Sequence, residues 1–156
     1  MCSLEPFASL GQQFASNHNT FIRPDGLTLT PWTARKFLIW DVSVRNTYAA
    51  SYTGLSRTVG GVAAKAERDK CAHYRPLVDE GGYIMKPFVI ETSGVWGGEA
   101  LLLSKDIGDR LKEATGEHRS VAFLRQRVAL EVQRGNAQMI LRTLPGGSGL
   151  NEVFYL

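Results

Sequence analysis

The sequence predicts an α/β or α+β fold, with a small mixed β-sheet flanked by helices. Two apolar runs have the length and composition of strands, at 36–45 and 83–91. Three longer segments carry apolar residues at helical spacing, at 61–78, 99–114 and 119–144. Because helices alternate with strands along the chain, we expect helices on both faces of one sheet.

The chain has 156 residues, of which 44% are hydrophobic and 21% charged, with a formal charge of +3. This composition is typical of a single globular domain, which we place at 1–144, followed by a flexible C-terminal tail at 145–156. The two cysteines, Cys2 and Cys71, have neither zinc-site spacing nor a disulfide pattern. We therefore expect an intracellular protein, nuclear or cytoplasmic, with no membrane segment.

The first element predicted is a helix at 4–15, which begins near Pro6 and ends before Asn17. Glu5 in its first turn is an accessory candidate for an acidic ligand. The alternative is that Glu5 only stabilises the start of the helix through the helix dipole.

A hairpin follows, made of a short strand at 26–30 and the long strand at 36–45. In the long strand Leu38, Trp40, Val42 and Val44 form an apolar face, which places Asp41 on the opposite face. An aspartate within such a strand must be hydrogen-bonded, paired or bound to a metal. The hairpin also brings Asp25 close to Asp41, although Asp25 alone fits a turn residue.

The helix at 61–78 places Lys70 and Tyr74 in the stripe expected to pack on the sheet. A lysine there either extends to water or meets an acid, and Asp25 and Asp41 are the nearest candidates. Two acids and a lysine together are the composition of a divalent-metal nuclease site. The alternative for Asp41 is a hydrogen-bonded structural acid.

The order Arg23-Pro24-Asp25, Asp41-Val42-Ser43-Val44, Lys70 and Tyr74 resembles the restriction-like endonuclease domain of non-LTR retrotransposon polyproteins. That domain is a variant of the P-D-(D/E)-x-K nucleases. The resemblance covers roughly 21–144 and includes Pro87 to Gly94 and Gln133 to Ala137.

This resemblance implies a Mg²⁺- or Mn²⁺-dependent endonuclease that nicks DNA at the target site of a retroelement. Asp25 and Asp41 would be the metal ligands, Lys70 the catalytic lysine moved from the strand to the helix, and Tyr74 its companion. Ser43 stands where the commoner motif has its lysine. The implied partners are DNA or RNA and the reverse transcriptase portion of a retroelement protein.

The later elements add weaker candidates. Glu91 at the end of the strand at 83–91 is an accessory acid, or else a glutamate facing solvent. The loop after the long strand carries Arg57, and the last helix directs Arg127 and Arg134 outward. With Arg23, these arginines are the candidates for contacts with nucleic acid, and the alternative is an ordinary solvated surface. A catalytically decayed nucleic-acid-binding module, or a relic with only a structural role, remains an alternative to the nuclease.

Overall fold

The computed structural model describes Phe14–Ala15 and residues 21–144. Strand β1, Phe14–Ala15, pairs antiparallel with β2, Phe21–Ile22. The predicted helix at 4–15 is therefore wrong at its last two residues, where pairing with another segment overrides local helical spacing. The rest of that helix, with Glu5, and the predicted tail at 145–156 lie outside the described residues.

The main sheet has three strands in the order β3 (Gly26–Leu27), β4 (Phe37–Arg45) and β5 (Tyr83–Glu91). β3 and β4 are antiparallel, and β4 and β5 are parallel. The small mixed sheet confirms the predicted α/β or α+β class, and β4 and β5 follow the predicted bounds within one residue. Pro87 has no N–H to donate to a further strand, which predicts either an edge position or a bulge for this strand, and β5 lies at an edge of the sheet.

Three α-helices accompany the sheet in the described part of the chain, and each matches its predicted range within two residues. Parallel strands need a crossover, and α1, Gly61–Asp79, provides it between β4 and β5. The other two are α2, Gly98–Thr115, and α3, Ser120–Arg142. The helix α2 ends where Gly116 adopts a positive φ of 77°, a conformation that favours glycine. No helix in the described part of the chain has the length and apolar character needed to cross a membrane.

The core lies between the sheet and α1. Ile39 of β4 packs with Ile22, Tyr74 and Leu77, all at most 3% exposed. Further along the same interface Val89 of β5 packs on two alanines of α1. The predicted stripe of α1 is therefore the face that packs on the sheet.

The opposite face of β4 is less covered than its sequence predicts. Leu38 is buried, but Val42 and Val44 are 47% and 51% exposed. The helices contact β5 more extensively than β4, so the outer half of this apolar face stays open. The Trp40 ring turns toward β3 instead, where a Cβ atom on Gly26 would lie only 2.0 Å from it.

The last helix packs on α2 and extends beyond it. Val132 is the most buried apolar side chain on α3, at 8% exposure. Helical spacing in the segment 119–144 places Met139 in the same stripe as Val132 and predicts it to be buried, but it is 68% exposed. This prediction is wrong, because helical spacing shows which residues share a face but not where the partner surface ends.

Candidate active site

Asp41 lies where β4 meets α1. In the parallel register it is opposite Pro87, and its side chain shares the face of Ile39, which α1 covers. The Nζ atom of Lys70 donates a hydrogen bond to Oδ1 of Asp41 and forms an ion pair with it. The two side chains keep 12% and 19% exposure, so the pair is largely desolvated but reaches water. The predicted meeting of Lys70 with an acid is confirmed.

Tyr74, one helical turn after Lys70, binds the other oxygen of the same carboxylate. Its hydroxyl lies 2.6 Å from Oδ2 of Asp41 and 3.0 Å from the carbonyl oxygen of Arg23. A hydroxyl has one hydrogen to donate, and the shorter distance and the negative charge favour Asp41. Burial, and then this hydrogen bond and the charges of Asp41 and Asp25, raise the pKa of Tyr74 well above its usual range. Tyr74 is therefore a hydrogen-bond donor that orients Asp41.

Asp25 comes from the other arm of the hairpin. Its Oδ2 atom accepts the backbone N–H of Val42 at 2.7 Å. Gly26, the first residue of β3, pairs with Trp40, so β3 does not reach Val42. The Asp25 carboxylate therefore accepts the N–H that a backbone carbonyl would accept if β3 were longer. Beyond it the edge of β4 has no strand partner among the described residues. The Asp25 side chain is exposed, and its Oδ1 atom remains available for a ligand.

The site holds two carboxylates and one ammonium group, which leaves one unit of net negative charge. Mg²⁺ is commonly held by one or two carboxylates together with water and substrate phosphate. Asp25 and Asp41 fit that donor set, and the net charge favours a cation. Among the described residues no group of three or more His, Cys, Asp or Glu side chains could hold a metal ion.

Glu91, the accessory acid proposed from the sequence, lies away from Asp41, Lys70 and Tyr74, which we call the Asp41 cluster. It is 2% exposed and accepts the N–H of Ala63 at 3.0 Å, which stabilises the start of α1. It stands four residues beyond Pro87, the partner of Asp41, or roughly 13 Å along β5. The expectation that Glu91 faces solvent is therefore wrong, and Glu91 forms no contact with Asp41. Ser43 shares the face of Asp41, and its Oγ atom is buried without a hydrogen-bond partner in the described part of the chain.

The candidate arginines are exposed and lie on separate elements. Arg23 reaches the Asp41 cluster through its carbonyl oxygen, and Arg57 lies in the loop before α1. Arg127 and Arg134 on α3 both pair with Glu131, at 3.3 and 2.9 Å. Exposed ion pairs of this kind contribute little to stability.

A buried acid that sequence reasoning missed is Glu67 of α1. Its Oε1 atom accepts the N–H groups of Glu99 and Ala100 at 2.9 and 3.2 Å, at the start of α2. The N-cap residues of α1 and α2 are Gly60 and Gly97, which have no side chain to cap a helix. The missing cap residues were the signal, because the free N–H groups then need acceptors from elsewhere in the fold.

We expect Tyr74→Phe to lower the free energy of unfolding by about 1.5 kcal/mol, because it removes a buried hydrogen bond to a charged group. Chemical denaturation measures this change. Tyr52→Phe is the matched control, since Tyr52 is half-buried and its hydroxyl forms no hydrogen bond with the described residues. An equal loss in both variants would contradict the assigned role of the Tyr74 hydroxyl.

The pH dependence of stability should report Glu67. Burial raises its pKa from the usual 4.5, against the lowering effect of the backbone hydrogen bonds it accepts. The folded protein therefore holds this proton more tightly than the unfolded chain. The stability that Glu67 contributes is fully present below pH 4.5 and is lost as the pH rises through the raised pKa.

Glu67→Gln keeps an oxygen for the α2 N–H groups and removes this titration. We expect wild type to lose stability relative to the variant as the pH rises from 4.5, because only wild type gives up this proton. Denaturation at several pH values measures it. The control is Glu113→Gln, which removes an exposed carboxylate on α2 that caps no helix. A stability difference between wild type and Glu67→Gln that stays the same at every pH would show that Glu67 titrates alike in both states.

A scan against protein-family models, a search of curated proteins and a search of solved structures each found no match.

Proposed function

We propose that this protein is a metal-dependent DNA endonuclease that hydrolyses phosphodiester bonds and derives from a retroelement. One observation carries the proposal: an ammonium group from α1 pairs with Asp41 of β4 at a place that water reaches, and Asp25 from the other arm of the hairpin binds the backbone N–H of the next residue, Val42. The negative charge of the site and its single lysine match the needs of phosphodiester hydrolysis, which include a cation site and a donor for phosphate oxygens. The order of these residues along the chain, which resembles the retroelement nucleases, adds to this support.

In this proposal Asp25 and Asp41 hold Mg²⁺ or Mn²⁺. The ion would supply Lewis acidity at the phosphate. Lys70 uses one of its three N–H donors on Asp41, which leaves two for water or a phosphate oxygen. Tyr74, protonated across the physiological range, keeps the Asp41 carboxylate in one orientation.

The reaction would add a water oxygen to phosphorus and break the bond from phosphorus to one ester oxygen. That ester oxygen leaves with the bonding electrons and takes up a proton, while the attacking water loses one to the solvent. Lys70 stabilises the negative charge that builds up on the phosphate oxygens. In a retroelement, such a nick opens the strand from which reverse transcription starts, so the partner would be a reverse transcriptase.

A second candidate function is a nucleic-acid-binding module whose catalytic site has decayed. Two features of the site favour it. Lys70 and Tyr74 occupy both oxygens of Asp41, and Ser43 replaces the strand lysine of the commoner motif. In that case binding would weaken steeply with salt, without cleavage.

Nicking of supercoiled plasmid tests the proposal. We expect conversion to the open circular form in Mg²⁺ or Mn²⁺ and none in EDTA, measured by gel electrophoresis. Absence of nicking in both metals, with salt-dependent DNA binding retained, would reject the nuclease and leave the binding module. Absence of both would leave a structural role.

A further inference from the structure

A second candidate site lies at the other end of the sheet. An open groove of about 860 Å³ separates the carboxyl ends of β4 and β5 from the last turns of α3. Carboxyl ends of parallel strands are a frequent place for ligands in α/β folds. Val44 and Met139 form part of its walls and remain 51% and 68% exposed.

An aromatic ring stands free beside this groove. Tyr48 is 82% exposed, and no ring contact involves it in the described part of the chain. Its backbone N–H donates to Oδ1 of Asn46 at 3.0 Å, and its ring faces solvent. An uncovered aromatic ring is a platform on which a planar group can stack.

Amide groups with unused hydrogen-bonding capacity line the same groove. Asn46 uses its oxygen on Tyr48 and keeps its NH₂ group, whereas Asn136 donates to the carbonyl of Thr92 at 2.8 Å and keeps its oxygen. Gln138 also lines the groove, half-buried. An apolar peptide would bury these amides without partners, which is costly. A ligand with donors and acceptors on its edge satisfies them.

The positive charge of α3 indicates that the planar group would be a base of a nucleic acid. Between Ser120 and Arg142 the helix has four arginines and one acid. That acid, Glu131, also lines the groove and pairs with Arg127 and Arg134. Arg142 lines the groove and forms no ion pair with the described residues. This excess of positive charge complements a phosphate backbone. In duplex DNA the bases are stacked on one another, so an exposed ring fits an unpaired strand.

We propose that this groove binds single-stranded nucleic acid, with an unpaired base stacked on Tyr48, amide groups on the base edge and Arg142 near phosphate. Val44 is only three residues past Asp41 on β4, roughly 10 Å along the strand. The groove lies at the carboxyl end of the sheet. Binding of a strand there does not depend on catalysis by the Asp41 cluster.

Fluorescence anisotropy in EDTA, where no metal-dependent cleavage occurs, tests this binding. The probe is a labelled single-stranded DNA of about 12 nucleotides. We expect Tyr48→Ala to weaken binding at least about 5-fold, and Tyr48→Phe, which keeps the ring, to bind like wild type. Phe123→Ala is the matched control, because Phe123 is an exposed aromatic residue on α3 away from the groove.

A second pair of variants tests the amide contact. Gln138→Ala should weaken binding, whereas Gln126→Ala, an exposed glutamine on the same helix outside the groove, should not. The proposal is overturned if wild type does not bind the strand, if Tyr48→Ala binds like wild type, or if Phe123→Ala loses as much. It also fails if Tyr48→Phe loses as much as Tyr48→Ala. Binding in EDTA by a protein that nicks nothing would reject the nuclease and keep this site.

Discussion

Asp41→Asn is expected to abolish metal-dependent nicking, with a loss of at least about 100-fold. Replacing groups that only orient metal ligands already costs 10- to 100-fold, so loss of a ligand should cost no less. The substitution also leaves the ammonium of Lys70 largely desolvated without its anion. We expect unfolding to become easier by about 1 to 3 kcal/mol, below the cost for a fully buried pair because both side chains keep contact with water.

A double variant separates chemistry from stability. Asp41→Asn combined with Lys70→Met replaces the ion pair by two neutral groups and should recover part of the lost stability but none of the nicking. Plasmid nicking and chemical denaturation measure the two effects. Nicking at the wild-type rate by folded Asp41→Asn protein would exclude Asp41 as a metal ligand. If Asp41→Asn does not fold at all, the role of Asp41 is structural.

The largest effect on folding is expected for Ile39→Ala. Ile39 is fully buried against Ile22, Tyr74 and Leu77, so shortening it leaves a cavity at the contact between β4 and α1. We expect the free energy of unfolding to fall by about 2 to 5 kcal/mol. Since Tyr74 packs on Ile39 and binds Asp41, the same change should also weaken any activity of the site.

Val42→Ala is the matched control for this loss of packing. Val42 is also β-branched and lies on the same strand, but it is on the opposite face and 47% exposed. Its cost should stay within about 1 kcal/mol, the range of intrinsic strand preference. Equal losses for both variants in chemical denaturation would mean that the core does not lie on the α1 face.

Sequence periodicity was sufficient for β4, β5 and the three α-helices, and for the contact of Lys70 with Asp41, but it missed the short pair β1 and β2. A charged residue inside an apolar stripe has few ways to be satisfied, so two such residues on facing elements predict each other. Periodicity could not predict how far each surface is covered. Met139 and Val42 are as apolar as buried residues but lie past the edge of their partners. The helix-capping roles of Glu67 and Glu91 depend on tertiary contacts that local patterns do not record.

The Asp25 carboxylate has a consequence for self-association. The edge of β4 past Trp40 lacks a neighbouring strand among the described residues, and Val42 and Val44 are exposed beside it. Unprotected edges of this kind can pair with another copy of the chain. By occupying the Val42 N–H with a charged group, Asp25 blocks the first hydrogen bond that an incoming strand would form. A metal ligand at this position would therefore also protect the protein against edge-to-edge aggregation.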